Sequence, residues 1–546
     1  MNKIVDTLGW DTVFAASYNT VNEAIESKHT YPTNFNYVED GTGIIINGTW
    51  KSWKLTPGGS GGSVKMECIV ESGIVEGLNQ PIGDLSSSSL IIRVRLKSLK
   101  SDKDTFKDPT AKVGTGEANI LMINTESTAA NLAVVVSQDS KYPNIKSELF
   151  QNSLDGIFAK YFNEHISEFN HVFSIMMLNE EADNGDFAWL KPTTFSYAVG
   201  GPKDGTIDEH VFGVLSMTGG ENISLKQQQS IDISCLQNLP KGSNSAFVIS
   251  AERVVEHMLL SGAVATIQGS KKEDFEISAD GISISNVKDM IWNKFEIDKG
   301  NVIEPTLDKG SFTMSMQSDH ISLEIVGAHY EVSHGITVKM NLTQKFTYQT
   351  IKCDNGNYVF IPDTSKFTDA KINSTVEVAE WIDITKIITT TVSIIAYIIC
   401  GLGSIAEACA EKAVITKKRV RAASVIMDLS ELFSEESEIN SINGISAISI
   451  DESFNAVNRV VQKGGILANT KLRNAIGIIA ALAALPAITI DIATMIINKD
   501  YENIPPFNNF ASNCLGVMKW PGMKDAELIS ADIRQSLVIA TKLVNK

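Results

Sequence analysis

Cysteine and histidine are scarce and scattered in this sequence. The six cysteines are Cys68, Cys235, Cys353, Cys400, Cys409 and Cys514. They show no paired spacing, which argues against a disulfide framework or a zinc cluster and predicts reduced core thiols. The eight histidines contain no H-E-x-x-H pair, and His329 and His334 would point to opposite faces of an extended chain. The sequence therefore predicts no metal site, no cofactor and no catalytic residue set.

Positive charge is also in deficit. The formal net charge is −17, so long-range repulsion opposes binding to nucleic acid and to anionic membranes. The densest basic stretch contains Lys417, Lys418 and Arg419. A solvated helix face is the ordinary interpretation of such a stretch, and contact with anionic headgroups is the alternative. The first residues lack an apolar run of signal-peptide length, which predicts synthesis in the cytoplasm without a signal peptide.

Gly58-Gly59-Ser60-Gly61-Gly62 fits the G-x-S-x-G pattern of hydrolases, but its context differs from theirs. A hydrolase serine lies on a sharp turn from a strand into a helix. Here Val64, Met66, Cys68 and Val70 alternate with more polar residues, which is typical of a strand. We therefore interpret the loop as a hairpin connection. The sequence predicts a protein without enzymatic activity.

Two segments far apart in the chain resemble each other. Residues 9–25 and 246–260 both show helical apolar spacing, and a shift of 233 positions aligns Phe14 with Phe247 and Val21 with Val254. Each segment is followed by Asp-Gly, a strand-like stretch and a tryptophan, and then by alternating sequence typical of antiparallel strands. Further amphipathic helices are predicted around residues 150–161 and 529–540. The pattern predicts duplicated modules over residues 1–240 and 241–546.

Two long uncharged runs interrupt the second half. Residues 387–406 are long enough on paper to cross a bilayer, and residues 474–490 form a shorter run that contains Pro486. Threonine and glycine clusters and the shortness of the second run favour a helical insert over about 380–500. A two-helix membrane hairpin is the alternative, and membrane association is not expected to be constitutive.

Several of these motifs resemble the clostridial P-forty-seven (P47) protein family, whose members are encoded beside OrfX proteins in toxin gene clusters. The resemblance rests on Gly9-Trp10-Asp11, on the stretch Gly48–Lys54 with its two tryptophans, and on the glycine-rich loop before Ser72-Gly73. It implies an α+β fold of duplicated tubular lipid-binding (TULIP) modules, similar to the bactericidal permeability-increasing protein (BPI). In each module a twisted antiparallel sheet is rolled around a long helix, and a helical insert follows in the second half. No catalytic residue comes with the resemblance.

The resemblance implies a non-enzymatic protein that binds a lipid or another hydrophobic ligand, as an accessory component of a toxin gene cluster. The alternative is a component that assembles the toxin complex or acts on membranes, with insecticidal activity in related clusters, through the apolar insert. Its expected partners are a hydrophobic ligand and toxin-cluster proteins, with release alongside the toxin complex. The expected ligand contacts are the inward faces of the first helices: Phe14, Val21, Ile25, Phe247, Val254 and Met258. Core packing of the same six residues is the competing interpretation.

Overall fold

The computed structural model has an α+β fold of curled antiparallel sheets with few helices. It describes residues 3–29, 31–101, 118–123, 132–166, 169, 175–177, 188–219, 226–267, 269–292, 295–298, 301–354, 358–363, 371–378, 425–428, 518–519 and 526–544. The chain forms two compact units, of which the first contains Met1–Ser250 and Pro506–Lys546 and the second Ala251–Pro505. The predicted modules, 1–240 and 241–546, stay a prediction, and most of the predicted insert lies outside the described residues.

Among its described residues, the first unit has two α-helices, α1 (Tyr18–Lys28) and α2 (Glu148–Glu164). Its first nine strands are β1 (Thr12–Ser17), β2 (Asn34–Val38), β3 (Ile45–Leu55), β4 (Ser63–Gly77), β5 (Gln80–Asp84), β6 (Ser89–Ser101), β7 (Ala118–Ile123), β8 (Val134–Val136) and β9 (Ile175–Met177). They are followed by β10 (Pro192–Gly200), β11 (Val211–Thr218) and β12 (Ser245–Ile249).

The second unit begins with helix α3 (Ala251–Val254), a π-helical turn (Val255–Leu259) and helix α4 (Leu260–Thr266). Its strands are β13 (Phe275–Ile277), β14 (Ser283–Asn286), β15 (Met290–Ile291), β16 (Phe295–Asp298), β17 (Asn301–Ile303), β18 (Thr306–Leu307), β19 (Phe312–Met316), β20 (Ile321–Ser333), β21 (Ile336–Lys352), β22 (Tyr358–Asp363), β23 (Lys371–Val378) and β24 (Val425–Asp428). The chain then returns to the first unit with β25 (Met518–Lys519), β26 (Glu527–Arg534) and β27 (Ser536–Lys542).

The described residues of the first unit form two sheets, and every strand pair in them is antiparallel. One has six strands in the order β10-β11-β1-β12-β27-β26. The other has nine, in the order β2-β3-β4-β6-β7-β9-β25, with β5 beside β4 and β8 beside β6. In the second unit a ten-stranded sheet follows the order β13-β14-β19-β20-β21-β23-β24, with β15, β18 and β22 at its side.

Both first helices begin later than predicted, because each segment starts as a strand. Residues 12–17 and 245–249 are the central strands β1 and β12, and α1 and α3 begin only at Tyr18 and Ala251. The predicted helix over 529–540 is wrong, since these residues form the β26–β27 hairpin. A strand buried on both faces carries consecutive apolar residues, which periodicity alone does not separate from a buried helix.

Other predictions are confirmed. The apolar face of 150–161 belongs to α2, and the alternating segments after residue 312 form β19, β20 and β21. Asp40-Gly41 and Asp280-Gly281 each precede a strand, β3 and β14, as the repeated order predicts. In both cases a further strand, β2 or β13, precedes the Asp-Gly pair and pairs with the strand that follows it. Cys68 and Cys235 are free thiols, and Cys68, Cys235 and Cys353 are all buried, as predicted for core cysteines.

The hairpin between β4 and β5 places a leucine in a strained turn. Leu78 and Asn79 have φ angles of 54° and 59°, as a type I′ turn requires, and Leu78 is 96% exposed. Asparagine adopts this left-handed conformation with little strain, whereas leucine is strained in it. We expect Leu78→Asn to raise the free energy of unfolding by about 0.5–1 kcal/mol in chemical denaturation. Leu78→Ala keeps the strain and is the matched control. An equal gain in both variants would assign the effect to the exposed side chain.

Candidate ligand-binding site

Phe14 and Phe247, predicted ligand contacts from distant parts of the sequence, lie directly opposite each other. Strands β1 and β12 are antiparallel neighbours, and the register pairs these two residues. The same register continues to both edges of the six-stranded sheet. The residues in line, which we call the apolar row, are Tyr197, Val214, Phe14, Phe247, Ile539 and Ala531. Every member is buried, with at most 4% exposure. Five strand spacings give the row a length of roughly 24 Å.

The opposite face of this sheet is covered by its own core. Val13, Ala15 and Val248 point to that side, where Trp10 and Cys235 pack against them. Both faces of the central strands are therefore buried. This explains the consecutive apolar residues of β1, β12 and β27, because an antiparallel sheet with one wet face would alternate.

Helix α1 carries the next two predicted contacts, Val21 and Ile25. Both are 1% exposed and lie one helical turn apart, so they share a face. The helix begins at the cap Ser17, whose side chain accepts a hydrogen bond from the Thr20 N–H. Asn22 fixes the helix to the end of β3, since its amide donates to Leu55 O at 3.0 Å and accepts from Leu55 N at 2.7 Å.

Val254 and Met258 lie on the first helical segment of the second unit. Both are fully buried, and the π-helical turn that contains Met258 packs on strands β14 and β19. Buried Arg253 forms an ion pair with Glu256 at 2.8 Å. Burial, with Arg253 nearby, lowers the pKa of His257 to about 4, so this imidazole is neutral at pH 7. Both ligand contact and core packing require these residues to be buried, so burial does not distinguish the two interpretations. Ligand contact at the six residues stays a prediction.

Sequence reasoning missed the main aromatic cluster of the first unit. Helix α2 packs Phe158 and Phe162 against the two tryptophans of β3, with Phe162 stacked on Trp50 at 5.8 Å between ring centroids. We call this cluster the aromatic interior; it consists of Phe35, Trp50, Trp53, Phe158, Phe162 and Phe169, all at most 4% exposed. The signal is present in the sequence, because Phe158 and Phe162 are spaced for one helix face and both tryptophans lie in the short stretch Gly48–Lys54.

A β-bulge turns both tryptophans inward. Residues three apart on a regular strand face opposite sides. The register shifts on both sides of Trp50: Glu71 is the extra residue of β4 before it, and Lys51 is the extra residue of β3 after it. Trp50 therefore pairs with Val70 and Trp53 with Cys68, which lie two residues apart on β4. Gly48 and Gly73 pair beside them and leave room for the Phe35 ring, since a Cβ on Gly48 would lie 2.6 Å from Phe35 Cζ. These packing roles account for the Gly48–Trp53 and Ser72-Gly73 motifs.

The buried indole N–H groups of Trp50 and Trp53 lack a hydrogen-bond partner among the described residues. The buried hydroxyl of Tyr18 also lacks a hydrogen-bond partner among these residues, and burial raises the pKa of this phenol. Such groups are uncommon, because leaving a buried donor unsatisfied costs about 1–3 kcal/mol.

The Gly9-Trp10-Asp11 motif has a structural role. Gly9 has a φ of 86°, and a Cβ there would lie 2.7 Å from Lys226 O. The indole of Trp10 donates to Gln228 O at 2.7 Å. The carboxylate of Asp11 accepts from the backbone N–H of Thr218 at 2.7 Å and from its hydroxyl at 3.1 Å. The motif thus fixes the entry to β1.

The loop around Ser60 connects β3 to β4, so the predicted strand–loop–strand context is confirmed. Ser60 is exposed and pairs with Ser63 through backbone hydrogen bonds at 3.0 and 3.1 Å. The loop also contacts β10, because the Val199 N–H donates to Gly61 O at 2.8 Å. Ser60 therefore lacks the strand-to-helix turn of a hydrolase nucleophile.

Several remaining predictions concern residues that the structure does not describe or does not bring together. Lys417, Lys418 and Arg419 and both uncharged runs lie outside the described residues. Within the described ranges, no helix is long and apolar enough to cross a membrane. In the same part of the chain no three His, Cys, Asp or Glu side chains are grouped as metal ligands would be.

Comparison with known sequences gives a consistent set of relatives. The family model described as OrfX-like, protein OrfX2/OrfX3/P47, matches residues 7–459. The chain is 30% identical over 381 residues to protein OrfX3 of Paraclostridium bifermentans, across 64% of this chain and 74% of that protein. It is also 30% identical over 290 residues to protein OrfX3 of Clostridium botulinum (strain Kyoto / Type A2), across 50% of this chain and 57% of that protein.

Comparison with solved structures shows the fold. The P47 structure from Clostridium botulinum A2 matches with a TM-score of 0.54 at 15% identity, across 99% of this chain and 98% of that chain. P47 of Clostridium botulinum E1 matches with a TM-score of 0.56 at 15% identity, across 98% and 99%. A lipopolysaccharide binding protein aligns with a TM-score of only 0.19, which supports no inference.

Proposed function

The chain belongs to the OrfX-like family of OrfX2, OrfX3 and P47 proteins, and on that premise we propose that it is a non-enzymatic protein that binds a lipid or another hydrophobic ligand. The proposal includes its finer architecture, two duplicated TULIP modules. The duplication is supported by the parallel between the two segments aligned in the sequence. In both, a phenylalanine-containing strand leads through a serine, Ser17 or Ser250, into a helix whose buried face carries the aligned valine.

The apolar row is the observation that carries the proposal. Its centre joins Phe14 and Phe247, the two aligned positions of the repeat, as direct cross-strand partners. Its length of roughly 24 Å exceeds the roughly 15 Å that acyl chains occupy in half of a bilayer's hydrocarbon core. An apolar chain lying on such a surface gains about 25 cal/mol for each Å² of apolar area removed from water. Binding of this kind requires no nucleophile.

The proposal predicts opposite results for two substitutions. Ser60→Ala should leave lipid content unchanged, because Ser60 is exposed in a hairpin loop. Ile25→Asp should lower it at least tenfold, since a carboxylate on the buried face of α1 repels an apolar chain, equivalent to about 1.4 kcal/mol or more. The measurement is lipid per chain in native mass spectrometry of the protein purified without detergent, with near-ultraviolet circular dichroism as the folding control.

Phe247→Leu provides a milder test at the apolar row. It keeps the position apolar and removes only part of the ring's volume, at a cost of about 1–2 kcal/mol, so it perturbs the fold less than a charged residue does. We expect a several-fold loss of bound lipid in this variant. A wild-type chain that carries no lipid and does not take up added fatty acid would contradict the proposed function. Loss of a measurable esterase activity in Ser60→Ala would instead restore the enzyme hypothesis.

The family relation also supports a role as an accessory component of a bacterial toxin gene cluster. Protein OrfX3 of Clostridium botulinum is a relative over half of this chain. Mixing the purified protein with the products of neighbouring genes tests this role. A stable complex that forms without lipid would favour the assembly function over lipid binding.

A further inference from the structure

Two buried hydrogen-bond donors lie inside an otherwise aromatic part of the first unit. Trp50 and Trp53 are 4% and 1% exposed, and no described residue accepts a hydrogen bond from either indole N–H. Buried tryptophan usually finds a partner for this group. A donor without one loses the hydrogen bonds it makes with water in the unfolded chain.

The same protein satisfies an indole that has a purely structural role. Trp10 is as deeply buried, at 2% exposure, and its N–H donates to Gln228 O at 2.7 Å. The missing partners of Trp50 and Trp53 are therefore a property of their site. The bulge at Lys51 brings both rings to one face, 5.6 Å apart in an edge-to-face arrangement.

The neighbours of the two indoles define the chemistry of a suitable ligand. Rings of Phe35, Phe158, Tyr161, Phe162 and Phe169 surround them, at centroid distances of 4.6–6.4 Å. None of these five side chains is charged. An ionised carboxylate buried there would lack a cation and would be strongly disfavoured. A neutral carbonyl oxygen has two lone pairs and can accept from both indoles.

We propose that the aromatic interior binds an esterified acyl chain, whose neutral carbonyl oxygen accepts hydrogen bonds from Trp50 Nε1 and Trp53 Nε1. The surrounding rings pack along the hydrocarbon part. This inference rests on the proposed function, that the protein takes up a hydrophobic ligand, and it names the class of ligand. It makes esters the preferred ligands over hydrocarbons and over fatty-acid anions of the same length.

Three probes test the preference on the full-length chain: methyl laurate, laurate at pH 8, and tridecane. Isothermal titration calorimetry gives the affinities, and ¹⁵N-tryptophan labelling reports the indoles of the seven tryptophans by NMR. We expect methyl laurate to bind at least tenfold more tightly than either other probe. Its binding should shift the indole proton signals of Trp50 and Trp53 downfield, as new hydrogen bonds do, and leave that of Trp10 in place.

Variants connect the preference to the two donors. Trp50→Phe and Trp53→Phe each remove one indole signal and so assign the NMR spectrum. Each variant should also lower the ratio of the affinity for methyl laurate to that for tridecane several-fold, while tridecane still binds. Trp10→Phe removes an indole that already has a partner and should leave the ratio unchanged. If a variant does not fold, the preference measured on the wild-type chain still decides the question.

The outcomes separate this inference from the function on which it rests. Equal affinity for methyl laurate and tridecane overturns the inference and leaves hydrophobic-ligand binding intact. Binding of none of the three probes contradicts the proposed function, and the inference with it. Indole signals that do not move when the ester binds also overturn the inference, because they show that water or another group already occupies the donors.

Discussion

Replacing Arg534 by methionine is expected to destabilise the first unit by about 3–5 kcal/mol. The guanidinium is 3% exposed and donates to three backbone carbonyls: Lys3 O at 2.8 Å, and Gln237 O and Ser234 O at 2.9 Å each. Methionine fills a similar volume but donates to none of them, so three carbonyls lose their charged partner. Burial lowers the pKa of Arg534, and the carboxylates of Asp532 and Asp232 oppose that shift.

The damage should be local at first. Arg534 ends strand β26, and its backbone carbonyl accepts from the Val5 N–H at 2.8 Å, so it joins the C-terminal hairpin to the N-terminal segment. Hydrogen exchange should therefore accelerate first in residues 527–542. Lys542→Met on the paired strand is the matched control, because Lys542 is exposed and its loss leaves no carbonyl unsatisfied. A loss of stability no larger than that of the control would contradict the role assigned to Arg534.

The hairpin held by Arg534 also completes the proposed ligand surface. Ile539 on β27 pairs with Phe247 and is the fourth member of the apolar row. If the hairpin detaches, the row ends at Phe247 and the edge of β12 is open. Arg534→Met should thus reduce bound lipid together with protection of residues 527–542, although residue 534 itself is outside the row.

The sequence predicted elements well wherever one face of a strand or helix meets solvent. The alternation at Phe312, Met314 and Met316 and the stripe on α2 both contrast buried with exposed positions. In β1 and β27 the contrast is lost, because Val13–Ala16 and Leu537–Ala540 are buried on both faces. Their identity as strands depends on partners far away in the sequence, which no local pattern contains.

The candidate site was predictable in its residue types and less so in its arrangement. Phe14 and Phe247 were aligned as equivalent positions of a repeat, but only the strand register shows that they face each other. Likewise the spacing of three residues between Trp50 and Trp53 predicts opposite faces, and the extra residue Lys51 between them reverses that conclusion. Long-range pairing and one-residue irregularities are the two features that local periodicity does not encode.

The sequence also did not predict the buried asparagines that bind backbone groups. Asn22 and Asn286 are ordinary polar residues in the sequence, yet each is at most 7% exposed. Each satisfies backbone groups at the end of a strand, and such a role becomes visible only when the strand ends are located.

Asn286→Asp is expected to destabilise the second unit by about 3–5 kcal/mol at pH 7. The side chain of Asn286 is fully buried, and its amide donates to Lys288 O and Asp308 O at 2.8 Å each. Its carbonyl oxygen accepts from the Phe312 N–H at 2.9 Å. Aspartate keeps only the acceptor, and it places a negative charge beside two carbonyl oxygens.

The effect of Asn286→Asp should depend on pH in a defined direction. Burial and the two carbonyl oxygens raise the pKa of the new carboxyl in the folded state above its value of about 3.9 in the unfolded chain. The folded state then binds more protons between these two values, so the free energy of unfolding falls as pH rises and the deficit is smallest at or below about pH 4.

Asn286→Ala should lose about 2–3 kcal/mol at every pH, because it removes the hydrogen bonds without adding a charge. Asn79→Asp, in an exposed turn, is the charge control. Chemical denaturation at pH 4.5 and pH 7 measures all three variants against the wild-type chain, and a deficit in Asn286→Asp that does not shrink at the lower pH would show that the new carboxylate has reached solvent.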